Sequence, residues 1–168
     1  CSASLDFPKT SGPYRRLFLD GNQQPGIISR AGAPTTCAAD EDCAYEGPVQ
    51  FLEACNMSWR TEDLHAVGGF DEAYQALGEW CEPDLAFRLR ARARVGRHPG
   101  VCYFTPRATL FHQPARGPAT LRRRETRSRM ANYRLYASRW VRPHWRHTGY
   151  RAFLWGYFTL LRWGILRP

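Results

Sequence analysis

Ten prolines and glycines interrupt the first 48 residues: Pro8, Gly12, Pro13, Gly21, Pro25, Gly26, Gly32, Pro34, Gly47 and Pro48. No long helix or strand survives punctuation this dense, because proline removes a backbone donor and glycine loses the most conformational freedom on folding. Within this region only YRRLFLDG, as a short helix or strand, and GIISRAG, as a short strand, are expected to be regular. From Pro48 the signals sharpen. VQFLEACNMSWR reads as a strand entering a turn. Thr61 is expected to cap a short helix, TEDLHAV, with Glu62 and Asp63 in its first turn and Gly68-Gly69 to stop it. Pro83 fits a first helical position, which would make Glu82 the N-cap and Asp84 the second helical residue of a helix that Gly96 ends. VCYFTP and ATLFH read as short extended segments. Residues 119 to 140 predict a basic helix, with Met130, Tyr133, Ala137 and Trp140 at helical spacing.

The chain has 168 residues, 43% of them apolar and 14% aromatic, enough for one domain with a real core. Charge is divided unevenly. Fourteen of the fifteen acids lie at or before Asp84, and nineteen of the twenty-four basic residues follow it, so the two parts carry about −9 and +18. Such a split points to an acidic catalytic or metal-facing portion and a basic portion that meets phosphate, anionic lipid or nucleic acid. The six cysteines (1, 37, 43, 55, 81 and 102) form no CxxC pair. Cys37 and Cys43 could bridge a loop, but a set of free, partly buried thiols is the expectation.

The stretch GEWCEPDLAFRLR crowds Glu79, Glu82 and Asp84 beside Trp80 just where a helix begins. Acids favour helix starts for electrostatic reasons alone. A cluster of carboxylates can also form the wall of an active site. The surrounding motifs favour the second reading. ACNMSWRTEDLHAVGGFDEAY, then WCEPDLAFRLR, then PRATLFH, taken in order over roughly residues 48 to 113, resemble the C-terminal half of a family 2 glycosyltransferase.

That resemblance implies an α/β fold, the C-terminal part of a Rossmann-like GT-A domain, with a short mixed sheet, flanking helices and a basic helical tail. Residues 1–115 would form the acceptor and metal half of the catalytic domain, and residues 116–168 the tail. An acid at the helix start would serve as general base toward the acceptor hydroxyl. Aligning Asp84-Leu85 with the family's motif puts Glu82 at the base position and Cys81 where glutamate is usual. This departure leaves Glu79 as an alternative base. Asp84, two residues from Glu82, is expected to hold local structure or a basic partner. Trp80 would be an acceptor-stacking platform or a core residue. Asn56, Met57 and Arg60 match the turn that lines the donor and acceptor cleft, and Arg60 would contact a phosphate or pair with a carboxylate. His112 matches a histidine that helps bind the divalent metal, magnesium or manganese. That metal would be held mostly by an Asp-x-Asp in an N-terminal nucleotide-binding half that the 168 residues lack. The chain thus reads as a fragment, inactive alone. Asp40-Glu41-Asp42 reads as a solvated loop rather than that motif.

The implied function is inverting, metal-assisted transfer of a sugar from a nucleotide-sugar to a glycan or lipid-linked acceptor. The tail carries thirteen arginines against one glutamate and ends GYRAFLWGYFTLLRWGILRP. Its longest apolar run is too short to span a bilayer but suits a helix in the membrane interface. Packing against the missing N-terminal half or another subunit is the competing expectation. A cytoplasmic enzyme, peripheral on the inner face of the cell membrane, follows, with nucleic acid not expected as a partner. The reading from another class is a non-catalytic basic domain that binds anionic membrane or nucleic acid.

Overall fold

The computed structural model describes residues 16–19, 24–35, 45–53, 56–75, 78–93, 102–110, 119–163 and 165, with the backbone alone at 119–125 and 161. Apart from a helical turn at 16–18, regular elements begin where the proline and glycine punctuation thins. They are β1 (Gly47–Val49), α1 (Thr61–Val67), α2 (Cys81–Ala93), β2 (Cys102–Phe104), α3 (Ala119–Trp140) and α4 (Trp145–Arg162). The fold is mixed helix with a small sheet. β1 and β2 pair antiparallel, Val49 opposite Cys102 and Gly47 opposite Phe104. The parallel component of a mixed sheet is not seen among the described residues.

Several elements differ from the sequence expectation. The strand expected to start VQFLEACNMSWR ends at Val49 instead, because Gln50 and Phe51 turn their amides to the Gly26 carbonyl rather than to a strand. GIISRAG forms a tight loop closed by one antiparallel bridge, Ile28 with Pro34. α1 has the expected span, but Arg60 occupies its N-cap and Thr61 is its first helical residue, with no side-chain cap. Its end follows glycine chemistry. Gly68 sits at φ 75° and donates to the His65 carbonyl, while Gly69 donates to Leu64. A Cβ at Gly68 would meet nothing within 4 Å. Gly68→Ala should therefore cost about 1 kcal/mol through backbone strain alone. Gly156, inside α4 and equally unobstructed, should gain roughly 0.5–1 kcal/mol on replacement by alanine. Urea denaturation midpoints of the two variants should move in opposite directions.

Two cores position the rest. The larger is aromatic: Phe18, Tyr74, Trp80, Tyr133, Tyr136, Tyr150 and Phe158 cluster with Met130, Ala137 and Leu154. Tyr133, Tyr136, Tyr150 and Phe158 are fully buried and come from α3 and α4, each worth about 1.5–3 kcal/mol relative to an exposed ring. Tyr133 meets Tyr150 edge-on at 5.6 Å, joining the two helices. The C-terminal helices thus share one core with residues from before position 115. The smaller core holds Val49, Phe51, Ala86 and Cys102, flanked by Trp59 and Phe104. α2 lies between the two, packing Phe87 against the first and contributing Ala86 to the second.

Candidate active site

The acidic stretch owes its shape to Trp80. Among the described residues it is the one non-glycine with positive φ, 74°, following Gly78 at 67°. That left-handed pair lets the chain turn sharply into α2, with the Cys81 amide donating to the Gly78 carbonyl at 2.9 Å. The helix begins at Cys81, two residues before Pro83. This corrects the sequence expectation: Pro83 is the third helical residue, Glu82 the second rather than the N-cap, and Asp84 the fourth. Proline is tolerated there because an amide in the first turn would have no acceptor within the helix. The Asp84 amide makes the first full-turn bond, to the Trp80 carbonyl at 3.2 Å.

On a 3.6-residue period, Trp80, Asp84 and Phe87 share one side of α2, and Glu82, Ala86 and Leu89 the other. The first side faces α3. Asp84 is completely buried there. Its carboxylate accepts from Arg88 Nε at 2.8 Å, Trp140 Nε1 at 2.7 Å and Arg139 at 3.1 Å. Arg88 also donates to the carbonyls of Val67 and Gly69, so the same network closes the C-terminal end of α1. Arg139 reaches Asp71 at 2.7 Å. The Ala73 amide, and after it Arg139, hold the Asp71 carboxyl below the usual range. Burial, and next the charge on Asp84, push the Tyr74 phenol up.

Glu79 is buried and clasped by Arg129, whose Nε lies 2.7 Å from both carboxylate oxygens and whose terminal nitrogen also donates to it. The Arg129 guanidinium stands 5.0 Å from the Phe158 ring centroid. Trp80 lies in the aromatic core, 4.9 Å from Tyr133 and 5.5 Å from Tyr136 between ring centroids. Its indole Nε1 has no hydrogen-bond partner among the described residues. The structure therefore brings Glu79, Trp80 and Asp84 together on the inner side of α2.

Glu82 is set apart. It is half-buried, on the side of α2 that carries Ala86 into the β1–β2 core. The turn at 56–60 borders that same core through Trp59, whose Nε1 donates to Met57 Sδ at 3.3 Å. Asn56 is exposed and donates from Nδ2 to the Ala108 carbonyl, tying this turn to the segment that leads toward His112. Arg60 is exposed, and no described carboxylate pairs with it. His112 itself lies outside the described residues. So do Asp40, Glu41, Asp42, Gly96 and four cysteines, Cys1, Cys37, Cys43 and Cys55. Among the described residues, no group of three or more histidine, cysteine or acidic side chains could hold a metal ion.

No family model, curated protein or solved structure matches this chain.

Each residue's role thus rests on its surroundings. The partners missed by sequence reading, Arg129, Arg139 and Trp140, lie 50, 55 and 56 positions from the carboxylates they hold. Only Arg88, one helical turn after Asp84, carried a local signal. Cys81 and Cys102 are free thiols. Burial, then the neighbouring Glu82 carboxylate, pushes the Cys81 thiol up to about 12, and burial raises Cys102 to about 11. Both stay protonated in the folded protein well above their ordinary value of 9.0. The folded state therefore holds these protons where the unfolded chain releases them. Their contribution to stability is full below pH 9 and is lost as pH rises toward 12. Alkylation by iodoacetamide at pH 8 should be slow at both positions in the native protein and fast in urea, read by peptide mass spectrometry.

Proposed function

We propose that this chain carries the acceptor side of an inverting glycosyltransferase, with Glu82 as the general base. Its substrates would be a nucleotide-sugar donor and a hydroxyl of a glycan or lipid-linked acceptor. The observation that supports Glu82 is its contrast with its neighbours. Asp84 and Glu79 are buried, whereas Glu82 is half-exposed in the first turn of α2. A base needs ionisation and access to the hydroxyl it deprotonates. The helix N-terminus favours the ionised form, and the side of α2 toward the 56–60 turn supplies the access. Arg60, exposed and without a described carboxylate partner, suits a donor phosphate, while Asn56 and Met57 would border the acceptor.

The fold assignment under this reading is the C-terminal part of a GT-A domain. A divalent metal would stabilise the departing diphosphate, and His112, outside the described residues, is the ligand this chain would supply. The step assigned to this chain's own residues is removal of one proton from the acceptor hydroxyl as its oxygen attacks the sugar. The test is sugar transfer by Glu82→Gln in the full-length protein, with an unchanged fold. Loss of transfer supports the reading. Transfer at the wild-type rate removes Glu82 from the mechanism.

A further inference from the structure

The inner side of α4 is fully occupied by the aromatic core, where Tyr150, Leu154 and Phe158 have no exposed surface. Its outer side is also apolar. Trp145, Trp155 and Trp163 are 65%, 61% and 74% exposed, and Leu160 and Ile165 add to them. At 3.6 residues per turn, Trp145, Thr148, Ala152, Trp155, Thr159 and Trp163 fall within an arc of about 80°. The first and last indoles stand roughly 27 Å apart along the axis. Arg151 and Arg162, both exposed, border this arc on one edge. Arg146 lies over the Trp145 ring at 5.2 Å, and exposed Arg142 precedes the helix. No acidic residue follows Glu125 anywhere in the sequence.

We propose that this outer face docks on an anionic lipid surface, with α4 lying in the plane of the interface. Tryptophan prefers the headgroup level, where its ring is sheltered and its N–H stays wet. Small residues between the indoles let all three enter to one depth. The flanking arginines meet lipid phosphates, each adding attraction to a negative leaflet. A crossing orientation does not fit, since no helix among the described residues is long and apolar enough to cross a membrane. A second copy is a poorer occupant. A two-fold contact through this face would bring arginine edges together with no carboxylate on α4 to offset them.

The proposal is independent of the role of Glu82, because the outer face of α4 is remote in sequence from α2 and its substitutions leave that helix untouched. The experiment is flotation of the full chain with vesicles of phosphatidylcholine alone or mixed with phosphatidylglycerol, with indole fluorescence recorded in parallel. Binding should be strong only on the mixed vesicles, with emission shifted to shorter wavelength. Trp155→Ser with Trp163→Ser should weaken partitioning at least a hundredfold, roughly what losing two buried rings implies. Arg151→Gln and Arg162→Gln should each weaken it about fivefold on anionic vesicles and leave neutral ones unaffected. Circular dichroism and the urea midpoint should stay at wild-type values in every variant, because these side chains are exposed. Absence of anionic-vesicle binding, or binding that the tryptophan variant retains, overturns the proposal. So does self-association lost in that variant without any vesicle binding, which would give the face to a second copy. Binding to a single-stranded oligonucleotide in place of vesicles would overturn it equally.

Discussion

On the proposed glycosyltransferase reading, Glu82→Gln is expected to lower sugar transfer by the full-length protein roughly 100- to 10,000-fold, the range a positioned general base supplies. The amide keeps the size of the side chain and loses its capacity to take a proton. The fall should therefore appear in kcat with KM nearly unchanged, since donor and acceptor still bind. Glu82 is half-buried beside the Cys81 thiol, so the unfolding free energy from urea melts should change by no more than about 0.5 kcal/mol. That combination separates a base from a strut. If Glu82 were only a helix-start acid, the same substitution would remove a few tenths of a kcal/mol of dipole stabilisation and leave transfer intact. Glu79→Gln gives the contrast. It leaves the Arg129 guanidinium without its counter-charge in a mostly buried position, so stability should fall first and any loss of rate should follow the loss of folded protein.

How far the chain could be read beforehand depended on the range of the interactions involved. α1 was legible because its signals are local: acids in the first turn, and a glycine whose left-handed conformation ends the helix. α3 was legible over its whole length, because Met130, Tyr133 and Ala137 recur at helical spacing and all three prove buried. The start of α2 was misread for an equally local reason. Pro83 favours a first helical position, but the left-handed Trp80 starts the helix earlier. A bulky residue seldom takes that conformation, and its burial against Tyr133 and Tyr136 offsets the strain. The destination of α4 could not be read locally either. Its aromatics surround the helix, and only the tertiary contacts distinguish Tyr150 and Phe158, which are enclosed, from Trp155 and Trp163, which are not. At the site, the acidic cluster was visible as a cluster. Its division into two enclosed carboxylates and one accessible one was not, because arginines on α3 decide it.

Asp84→Ala should be the most destabilising single change among the acidic residues, at about 3 kcal/mol. Three donors from two helices converge on this one carboxylate, which has no contact with solvent. Removing one partner of a buried ion pair costs about 3–5 kcal/mol, because the opposing charges lose their partner without regaining full hydration. Here the lower end applies. Arg88 and Arg139 remain 22% and 35% exposed and can turn partly to water. The Trp140 indole N–H stays behind unpaired, at a further cost of up to about 1–3 kcal/mol within the same total. Asp84→Asn keeps the volume and one acceptor and should cost less than the alanine change. The network also predicts non-additivity. Asp84→Ala combined with Arg139→Ala should destabilise by clearly less than the sum of the two single changes, since the second removes a charge the first had orphaned. Additive costs in urea melts would mean that the Asp84–Arg139 contact contributes nothing. Asp84 would then be held by Arg88 and the Trp140 indole alone.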